Sequence, residues 1–414
     1  MEYGLIGEHL SHSYSKQIHA SIADYDYILK EIAPEALQKF MEDRQFKGIN
    51  VTIPYKERVI GMLDEVDETA RHIGAVNTVV NINGKLRGSN TDAPGLMALI
   101  MKNKIDLEGK KVLILGTGGT SKTAVHVAQT LGASEVLRVS RTEKPGCITY
   151  EEAESLHSDA GVIINTTPVG MFPDEDKAPV DLSAFHKLSG VVDVIFHPFR
   201  TNLILQAEAL HIPACGGLYM LAAQAVFASS LFLQKTETDS SLIDKAYNNV
   251  LTSLRNVVLI GMPSCGKSTI GKILSQKTVL KQVDTDNIIT ERIGMTIEEF
   301  FKKNGEKAFR DIESEVISEV SRQNGIIIST GGGAVLREEN VRALKRNGIV
   351  FFLDRSLERL KTTDSRPLSS DREKLNELYK NRYDIYTASA DAIIDGDLGK
   401  TDIVDIITAM IREA

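Results

Sequence analysis

The most specific chemical motif in the chain is a glycine-rich stretch followed by lysine and serine. Its residues are Gly261, Gly266, Lys267, Ser268 and Thr269. The pattern GxxxxGKS predicts a loop whose backbone NH groups wrap phosphates, whose lysine reaches the β- and γ-phosphates and whose serine hydroxyl ligates Mg2+. Because an apolar run precedes the loop and a helix-forming segment follows it, we predict a site for ATP and Mg2+.

A second glycine-rich turn follows the apolar run at 111–116. Its glycines are Gly116, Gly118 and Gly119, and Ser121 stands where the third glycine of GxGxxG is usual. Such a turn lets a dinucleotide pyrophosphate approach a helix N-terminus, which predicts a cofactor site. A tight turn without a ligand is the alternative.

The strand expected after this turn ends at Ser140, Arg141 and Thr142. An NAD enzyme normally carries an acidic residue here, which accepts from the ribose 2′-hydroxyl. The fork of Arg141 suits a 2′-phosphate instead, so Arg141 and Thr142 favour NADP, although Glu143 follows. A solvated surface arginine is the alternative.

Short apolar runs alternate with longer amphipathic segments along the chain. They lie at 111–116, 161–166, 190–195, 257–261, 325–330 and 348–354. Such runs predict buried parallel strands joined by helical crossovers, and therefore an α/β fold with doubly wound sheets. A polar stretch at 235–241 and a helical pattern ending at Leu254 predict a domain boundary near residue 254.

The composition of the chain restricts the classes of molecule that it is expected to bind. The formal net charge is -8, so no basic excess is available for nucleic-acid or lipid phosphates, and small molecules are the expected partners. The three cysteines lack the spacing of metal ligands, which fits a reducing compartment. No apolar run of about 18 residues and no signal-like start is present, so we expect a cytoplasmic protein that binds no membrane.

Seven stretches in the first part of the chain together resemble shikimate dehydrogenase. They are HSYSKQIH at 12–19, GINVTIPYKE at 48–57, GAVNTVV at 74–80 with GSNTDAPG at 88–95, NTTPVGM at 165–171, DVIFHP at 193–198 and GGLYMLAAQA at 216–225. The resemblance implies a substrate domain at 1–105 and 216–253 and a Rossmann domain, which binds NADP(H), at 106–215.

The resemblance also implies site residues. Lys56 and Asp92 match the pair beside the reacting carbonyl of 3-dehydroshikimate, where lysine is the expected proton donor and aspartate orients it. The matching substrate contacts are Ser13 and Ser15 for the carboxylate, and Thr52, Asn77 and Gln224 for the ring hydroxyls. Two positions differ from the family: Phe196 replaces a tyrosine and Lys16 a proline, so we expect weaker substrate binding with the chemistry retained.

The second part of the chain resembles shikimate kinase. The carrying motifs are VDTD at 283–286, GEKAFRDIE at 305–313, STGGGAV at 329–335, SRPL at 365–368 and NRYDIYTASA at 381–390. The resemblance implies a P-loop domain at 254–414, with a parallel sheet flanked by helices.

For that domain the resemblance implies a shikimate site formed by Asp286, Arg310, Gly332, Gly333 and Arg382. The two arginines take the carboxylate, as suits paired guanidinium groups. Asp286 orients the attacking hydroxyl or accepts its proton, Asp284 contacts Mg2+ through water, and Arg366 belongs to a lid over ATP. Arg359 is a weaker candidate for nucleotide binding.

Together these features predict a fusion of two enzymes that act consecutively on one ring. The first would reduce 3-dehydroshikimate to shikimate with NADPH, and the second would phosphorylate shikimate with ATP, in aromatic amino-acid biosynthesis. Three alternatives stay open. The first part could be a noncatalytic binding module or an NAD-dependent quinate/shikimate dehydrogenase, and the second part could be a kinase for another small molecule.

Overall fold

The structure is a computed structural model that describes residues 1–10, 13–360 and 372–413. The chain divides into two compact units, Met1–Val250 and Leu251–Ala414. The division falls inside the helix Ser241–Leu254, a few residues before the boundary that the sequence predicts near residue 254. The assignment of residues to domains within these units stays a prediction.

The first unit begins with a six-stranded mixed sheet. Its strands are β1 (Tyr3–Gly7), β2 (Tyr27–Glu31), β3 (Gly48–Val51), β4 (Glu65–Val66), β5 (Thr78–Ile82) and β6 (Lys85–Ser89). Its helices are α1 (Ser15–Ile22), α2 (Leu37–Asp43), α3 (Glu68–Ile73) and α4 (Asp92–Lys102). The strand order is β2-β1-β3-β5-β6-β4, and β5 runs antiparallel to both β3 and β6. The sequence predicted parallel strands and did not predict this hairpin.

A second, wholly parallel sheet follows in the same unit. Its strands are β7 (Lys111–Leu115), β8 (Glu135–Ser140), β9 (Cys147–Thr149), β10 (Val162–Asn165), β11 (Gly190–Asp193) and β12 (Ala214–Cys215). Its helices are α5 (Gly119–Thr130), α6 (Tyr150–Leu156) and α7 (Asn202–Ala209), after which α8 (Leu218–Phe232) and α9 (Ser241–Leu254) follow. The order β12-β11-β10-β7-β8-β9 is that of a Rossmann sheet, with the strand order reversing between β7 and β10.

The second unit contains one parallel sheet. Its strands are β13 (Asn256–Ile260), β14 (Lys281–Asp284), β15 (Ile326–Ser329), β16 (Gly348–Asp354) and β17 (Ala392–Asp395), in the order β14-β15-β13-β16-β17. Its helices are α10 (Lys267–Lys277), α11 (Thr285–Ile293), α12 (Ile297–Ser321), α13 (Glu338–Asn347), α14 (Arg372–Ser389) and α15 (Lys400–Glu413). Within α12, Gly305 departs from helical geometry.

The predicted α/β class is confirmed. Each of the six apolar runs forms a strand, and every residue of β10, β11, β13 and β15 is buried. Strands of a parallel sheet are covered on both faces, which explains why their sequences are continuously apolar. In the part of the chain that the structure describes, every helix is too short or too polar to span a membrane.

Candidate active sites

Lys56 and Asp92 form an ion pair at one edge of the first sheet. Lys56 lies in the loop after β3, and Asp92 is the first residue of α4. Lys56 Nζ donates to Asp92 Oδ2 over 2.6 Å, and the two side chains are 20% and 11% exposed. Because water has limited access, this pair is screened less than a surface ion pair. The structure therefore places the ammonium group of Lys56 against a carboxylate.

Asn77 lies close to the Lys56–Asp92 pair. It lies just before β5, and the backbone NH of Thr91, the residue before Asp92, donates to Asn77 Oδ1 over 2.7 Å. Thr52 begins the loop that carries Lys56. Four residues are predicted to contact the substrate or the reacting group. Thr52, Lys56 and Asn77 lie on loops, and Asp92 lies at the start of α4.

Ser15 and Gln224 lie on helices around this site, and Ser13 lies just before the first of them. Ser15 is the first residue of α1 and is buried, and its NH donates to Ser13 Oγ over 3.3 Å. α1 packs on α8, which carries Gln224, and α8 packs on α4 so closely that a Cβ on Gly95 would lie 3.1 Å from Gln224 Cβ. Among the described residues, no hydrogen bond joins the serines to the Lys56–Asp92 pair. Their substrate contacts stay a prediction.

Phe196 lies in a loop that is fixed at both ends. Asp193, at the end of β11, accepts from Asn165 Nδ2 over 3.0 Å and from Thr201 Oγ1 over 2.7 Å. Burial raises the pKa of Asp193 to about 7, although these hydrogen bonds oppose the rise. The Phe196 ring meets the Tyr14 ring edge-on, with centroids 5.9 Å apart. The Phe196 side chain therefore faces the segment that carries the two serines.

The dinucleotide turn has room for a phosphate. Gly116 has a φ of 111°, which favours glycine, and α5 begins at Gly119. A Cβ on Gly118 or Gly119 would meet nothing within 4 Å, so the space before the helix N-terminus is open. Ser121 is buried and its hydroxyl donates to Gly118 O over 2.7 Å, which keeps the serine out of that space. The helix N-terminus therefore fits a pyrophosphate.

Two cationic side chains accompany this turn. Arg141 and Thr142 are exposed directly after β8, and Lys144 Nζ donates to Thr117 Oγ1 in the turn over 2.9 Å. The sequence analysis missed Lys144, although a basic residue soon after Arg141 was an available signal. A pair of cations next to an open phosphate cradle fits the extra phosphate of NADP.

In the phosphate-binding loop of the second unit, the lysine side chain is hydrogen-bonded to backbone oxygens of the loop. Lys267 begins α10, and its Nζ donates to Gly261 O over 2.8 Å and to Met262 O over 2.9 Å. Gly266 has a φ of 109°, a conformation that L side chains rarely adopt. These bonds hold the ammonium inside the loop, where the phosphates of a nucleotide bind in loops of this sequence.

Oxygen ligands suited to Mg2+ lie beside the loop. Ser268 Oγ donates to Asp284 Oδ2 over 2.6 Å, and Asp284 Oδ1 accepts from the backbone NH of Asp286 over 3.1 Å. Thr269 is exposed next to Ser268. Because Mg2+ prefers a small number of hard oxygen ligands and retains water, a hydroxyl and a carboxylate in contact fit the ion.

The predicted acceptor site brings two arginines to one turn. Arg382 Nη1 donates to Gly332 O over 2.9 Å, and the backbone of Gly333 lies directly against the Arg310 guanidinium. Arg310 Nη1 donates to Glu313 Oε2 over 2.6 Å. Burial raises the pKa of Glu313, and the positive charge of Arg310 opposes that rise. The sequence analysis missed Glu313, which fixes the guanidinium of Arg310.

Asp286 adjoins this arginine site. A Cβ on Gly331 would lie 2.6 Å from Asp286 Oδ1 and 3.0 Å from Glu313 Oε1, so the two carboxylates flank the same glycine. Arg359 is exposed, and its Nη1 donates to Asp397 O over 2.7 Å. The predicted lid residue Arg366 lies outside the described residues.

The fold and these sites define two classes of enzyme in one chain. The first unit has the architecture of a nicotinamide-dinucleotide oxidoreductase with a separate substrate sheet. The second has that of a P-loop phosphotransferase for a small carboxylate.

Comparisons with known proteins agree with both classes. The model of the shikimate dehydrogenase substrate binding domain matches residues 5–79, and the shikimate kinase model matches residues 263–412. A shikimate dehydrogenase (NADP(+)) of Clostridium beijerinckii is 34% identical over 263 residues, which cover 59% of this chain and 96% of that protein.

Two solved structures resemble the first unit. The shikimate 5-dehydrogenase of Thermus thermophilus, in complex with NADP(H) and shikimate, has 30% identity and a TM-score of 0.54, covering 60% of this chain and 98% of that one. A chorismate mutase/shikimate 5-dehydrogenase fusion protein from Clostridium acetobutylicum has 32% identity and a TM-score of 0.57, covering 60% and 96%. The chain therefore belongs to the shikimate dehydrogenase family, and a shikimate kinase domain follows in the same polypeptide.

Proposed function

We propose that the chain is a bifunctional cytoplasmic enzyme. Its first unit reduces 3-dehydroshikimate to shikimate with NADPH, and its second unit transfers the γ-phosphoryl group of ATP to shikimate, giving shikimate 3-phosphate. The family membership of the first unit and the kinase domain in the second support this proposal. The product of the first reaction is then the nucleophile of the second.

The proposal that the first unit catalyses a reduction rests on the Lys56–Asp92 ion pair. NADPH, when bound, would supply the hydride that reaches the ring carbonyl carbon. As charge develops on the carbonyl oxygen, the Lys56 ammonium donates a proton to it, which completes a hydroxyl group. Asp92 holds the ammonium in position from 2.6 Å. Lys56 is 20% exposed, so it can regain a proton from water after each turnover.

The remaining dehydrogenase residues bind and orient the substrate. Ser13 and Ser15 donate to the carboxylate, whereas Thr52, Asn77 and Gln224 bond the ring hydroxyls. Neutral donors suit neutral hydroxyls, since a buried polar group left without a partner is unfavourable. Arg141 and Lys144 would hold the 2′-phosphate of NADP, which supports NADP over NAD and disfavours the NAD-dependent alternative.

In the second unit, Lys267 would contact the β- and γ-phosphates, while Ser268 and Asp284 would hold Mg2+, which neutralises phosphate charge when bound. Arg310 and Arg382 bind the shikimate carboxylate as paired guanidinium groups. The shikimate hydroxyl oxygen attacks the γ-phosphorus, ADP leaves, and Asp286 orients that hydroxyl or takes its proton. The paired arginines disfavour an acceptor that lacks a carboxylate.

A coupled assay tests both activities on the whole chain. The purified protein receives 3-dehydroshikimate, NADPH, ATP and Mg2+, while NADPH absorbance and shikimate 3-phosphate are followed together. We expect both signals. Phosphorylation of added shikimate without oxidation of NADPH or NADH would make the first unit a noncatalytic module. Oxidation of quinate with NAD+, measured in the reverse direction, would favour the other alternative.

A further inference from the structure

A line of buried polar side chains lies behind Asn77. Tyr27 Oη donates to Asn50 Oδ1 over 2.7 Å, and Asn50 Nδ2 donates to Thr78 Oγ1 over 3.0 Å. Thr78 Oγ1 lies 3.1 Å from Asn77 Oδ1. We call Tyr27, Asn50 and Thr78 the support chain. All three are buried, and Thr78 has no exposed surface.

The chemistry of each group sets the direction of donation along the support chain. The Asn50 amide nitrogen also faces the backbone oxygen of Asn77 over 3.3 Å, and because that oxygen only accepts, the atom opposite must be the NH2 group. Asn50 Oδ1 therefore accepts from the Tyr27 hydroxyl. Since the Thr78 hydroxyl oxygen accepts from Asn50, the single hydroxyl proton of Thr78 must point away from Asn50.

Asn77 Oδ1 lies at the receiving end of this line. The Thr91 NH donates to it over 2.7 Å, which identifies that atom as the carbonyl oxygen. It also receives a hydroxyl proton, either from Thr78 directly or from Thr91 Oγ1, which lies 3.0 Å from Thr78 Oγ1 and 3.2 Å from Asn77 Oδ1. By either route both lone pairs of the oxygen are used within the protein.

The nitrogen of the Asn77 amide is free of hydrogen bonds to the described residues. Although Asn77 as a whole is only 3% exposed, this nitrogen keeps some solvent-accessible surface and could donate to a ligand. The ring of Tyr27, at the far end of the support chain, is fixed by stacking on His19 with centroids 3.9 Å apart. The row of hydrogen-bonded side chains is therefore held in place at Tyr27, and at its other end Asn77 retains a donor group for a ligand.

We propose that the support chain fixes the Asn77 amide as a hydrogen-bond donor, so that the dehydrogenase requires an acceptor oxygen at the facing position of its substrate. Thr78, Asn50 and Tyr27 are then positioning residues, which act only through Asn77. The inference rests on the proposed function, because it takes Asn77 to contact a ring hydroxyl of shikimate.

The test uses the whole chain with Thr78→Val, which keeps the branched shape and removes the hydroxyl, and Thr78→Ser, which keeps the hydroxyl. Oxidation of shikimate with NADP+ is measured for each. Thr78→Val should raise KM for shikimate about three- to tenfold, as expected for one lost hydrogen bond, while kcat changes less than KM. Thr78→Ser should stay within about twofold of the wild type in KM, since the hydroxyl is retained.

Shikimate analogues that lack one of the two non-reacting ring hydroxyls distinguish positioning from general damage. For the analogue without the oxygen that Asn77 contacts, Thr78→Val and the wild type should have equal KM values, because there is no bond to lose. An equal KM increase for every analogue, or an unchanged KM for shikimate, would overturn the proposal.

Folding and the premise are checked separately. If Thr78→Val is insoluble, Tyr27→Phe at the far end of the support chain should raise KM in the same hydroxyl-dependent way, and an unchanged KM there would overturn the proposal. Phosphorylation of added shikimate by the second unit monitors the protein preparation. A wild-type chain that phosphorylates shikimate but never oxidises it would overturn the proposed function of the first unit and this inference with it.

Discussion

Replacing Asp92 with Asn keeps the shape of the side chain and removes the charge that holds the Lys56 ammonium. Lys56 Nζ and Asp92 Oδ2 lie 2.6 Å apart, and both side chains are largely shielded from water. A hydrogen bond to a charged group contributes about 1.5–3 kcal/mol, so Asp92→Asn should lower kcat/KM for reduction about tenfold to 150-fold. Lys56→Met removes the proposed proton donor itself, and kcat/KM should fall about 100-fold to 10,000-fold.

The double variant decides whether the two residues act as a unit. If Asp92 acts through Lys56, removing the carboxylate from a chain that already lacks the ammonium should change little. We therefore expect Lys56→Met with Asp92→Asn to be about as active as Lys56→Met alone. Independent roles would instead multiply the two losses, and that result would refute the reasoning.

The assay follows NADPH absorbance with 3-dehydroshikimate over a range of substrate concentrations. Glu57→Gln is a matched control, because Glu57 pairs with Lys122 over 2.8 Å but is 55% exposed. A surface pair contributes about 0–1 kcal/mol, so this variant should lose less than about fivefold. Phosphorylation of added shikimate by each variant should equal that of the wild type, since the kinase residues are unchanged.

Four further outcomes are expected. Phe196→Tyr should lower KM for 3-dehydroshikimate by adding a hydroxyl donor, and an unchanged KM would contradict that role. Replacing Arg141 and Lys144 with Ala should raise KM for NADPH but not for NADH, as measured by initial rates. Because the pKa of Asp193 is raised from 3.8 to about 7, its contribution to stability is lost as the pH rises through that interval. Denaturant titrations of Asp193→Asn should therefore show a smaller decline over that range than the wild type. Lys267→Ala should abolish phosphorylation and leave reduction unchanged in the coupled assay.

Much of the fold was predictable from apolar runs. The strands at 111–116 and 257–261 could be identified because parallel strands are buried on both faces and keep a continuous apolar sequence. The β5–β6 hairpin was missed although its turn is Asn83-Gly84, with φ values of 53° and 86°. That dipeptide is a strong short-range signal for a hairpin, so the turn residues predict these two strands where apolar runs do not.

The candidate sites were predictable only where a motif carries them. Lys56 and Asp92 come from different motifs, and the structure brings them into contact. Glu313 and Lys144 were missed because their importance lies in a partner, Arg310 or Thr117, that spacing along the chain does not reveal. Hydrogen bonds between residues distant in sequence depend on sheet order and loop path, which single motifs do not specify.

Gly333 offers a way to separate the two activities genetically. Its backbone φ of -108° is accessible to alanine, so the obstacle to a side chain there is the Arg310 guanidinium and not the backbone conformation. One methyl group would therefore displace the arginine at a position remote in sequence from every dehydrogenase residue. A strain carrying that allele would keep the full-length polypeptide, and we expect it to accumulate shikimate, because the change reaches the proposed carboxylate site of the kinase and leaves the proposed dehydrogenase residues unaltered.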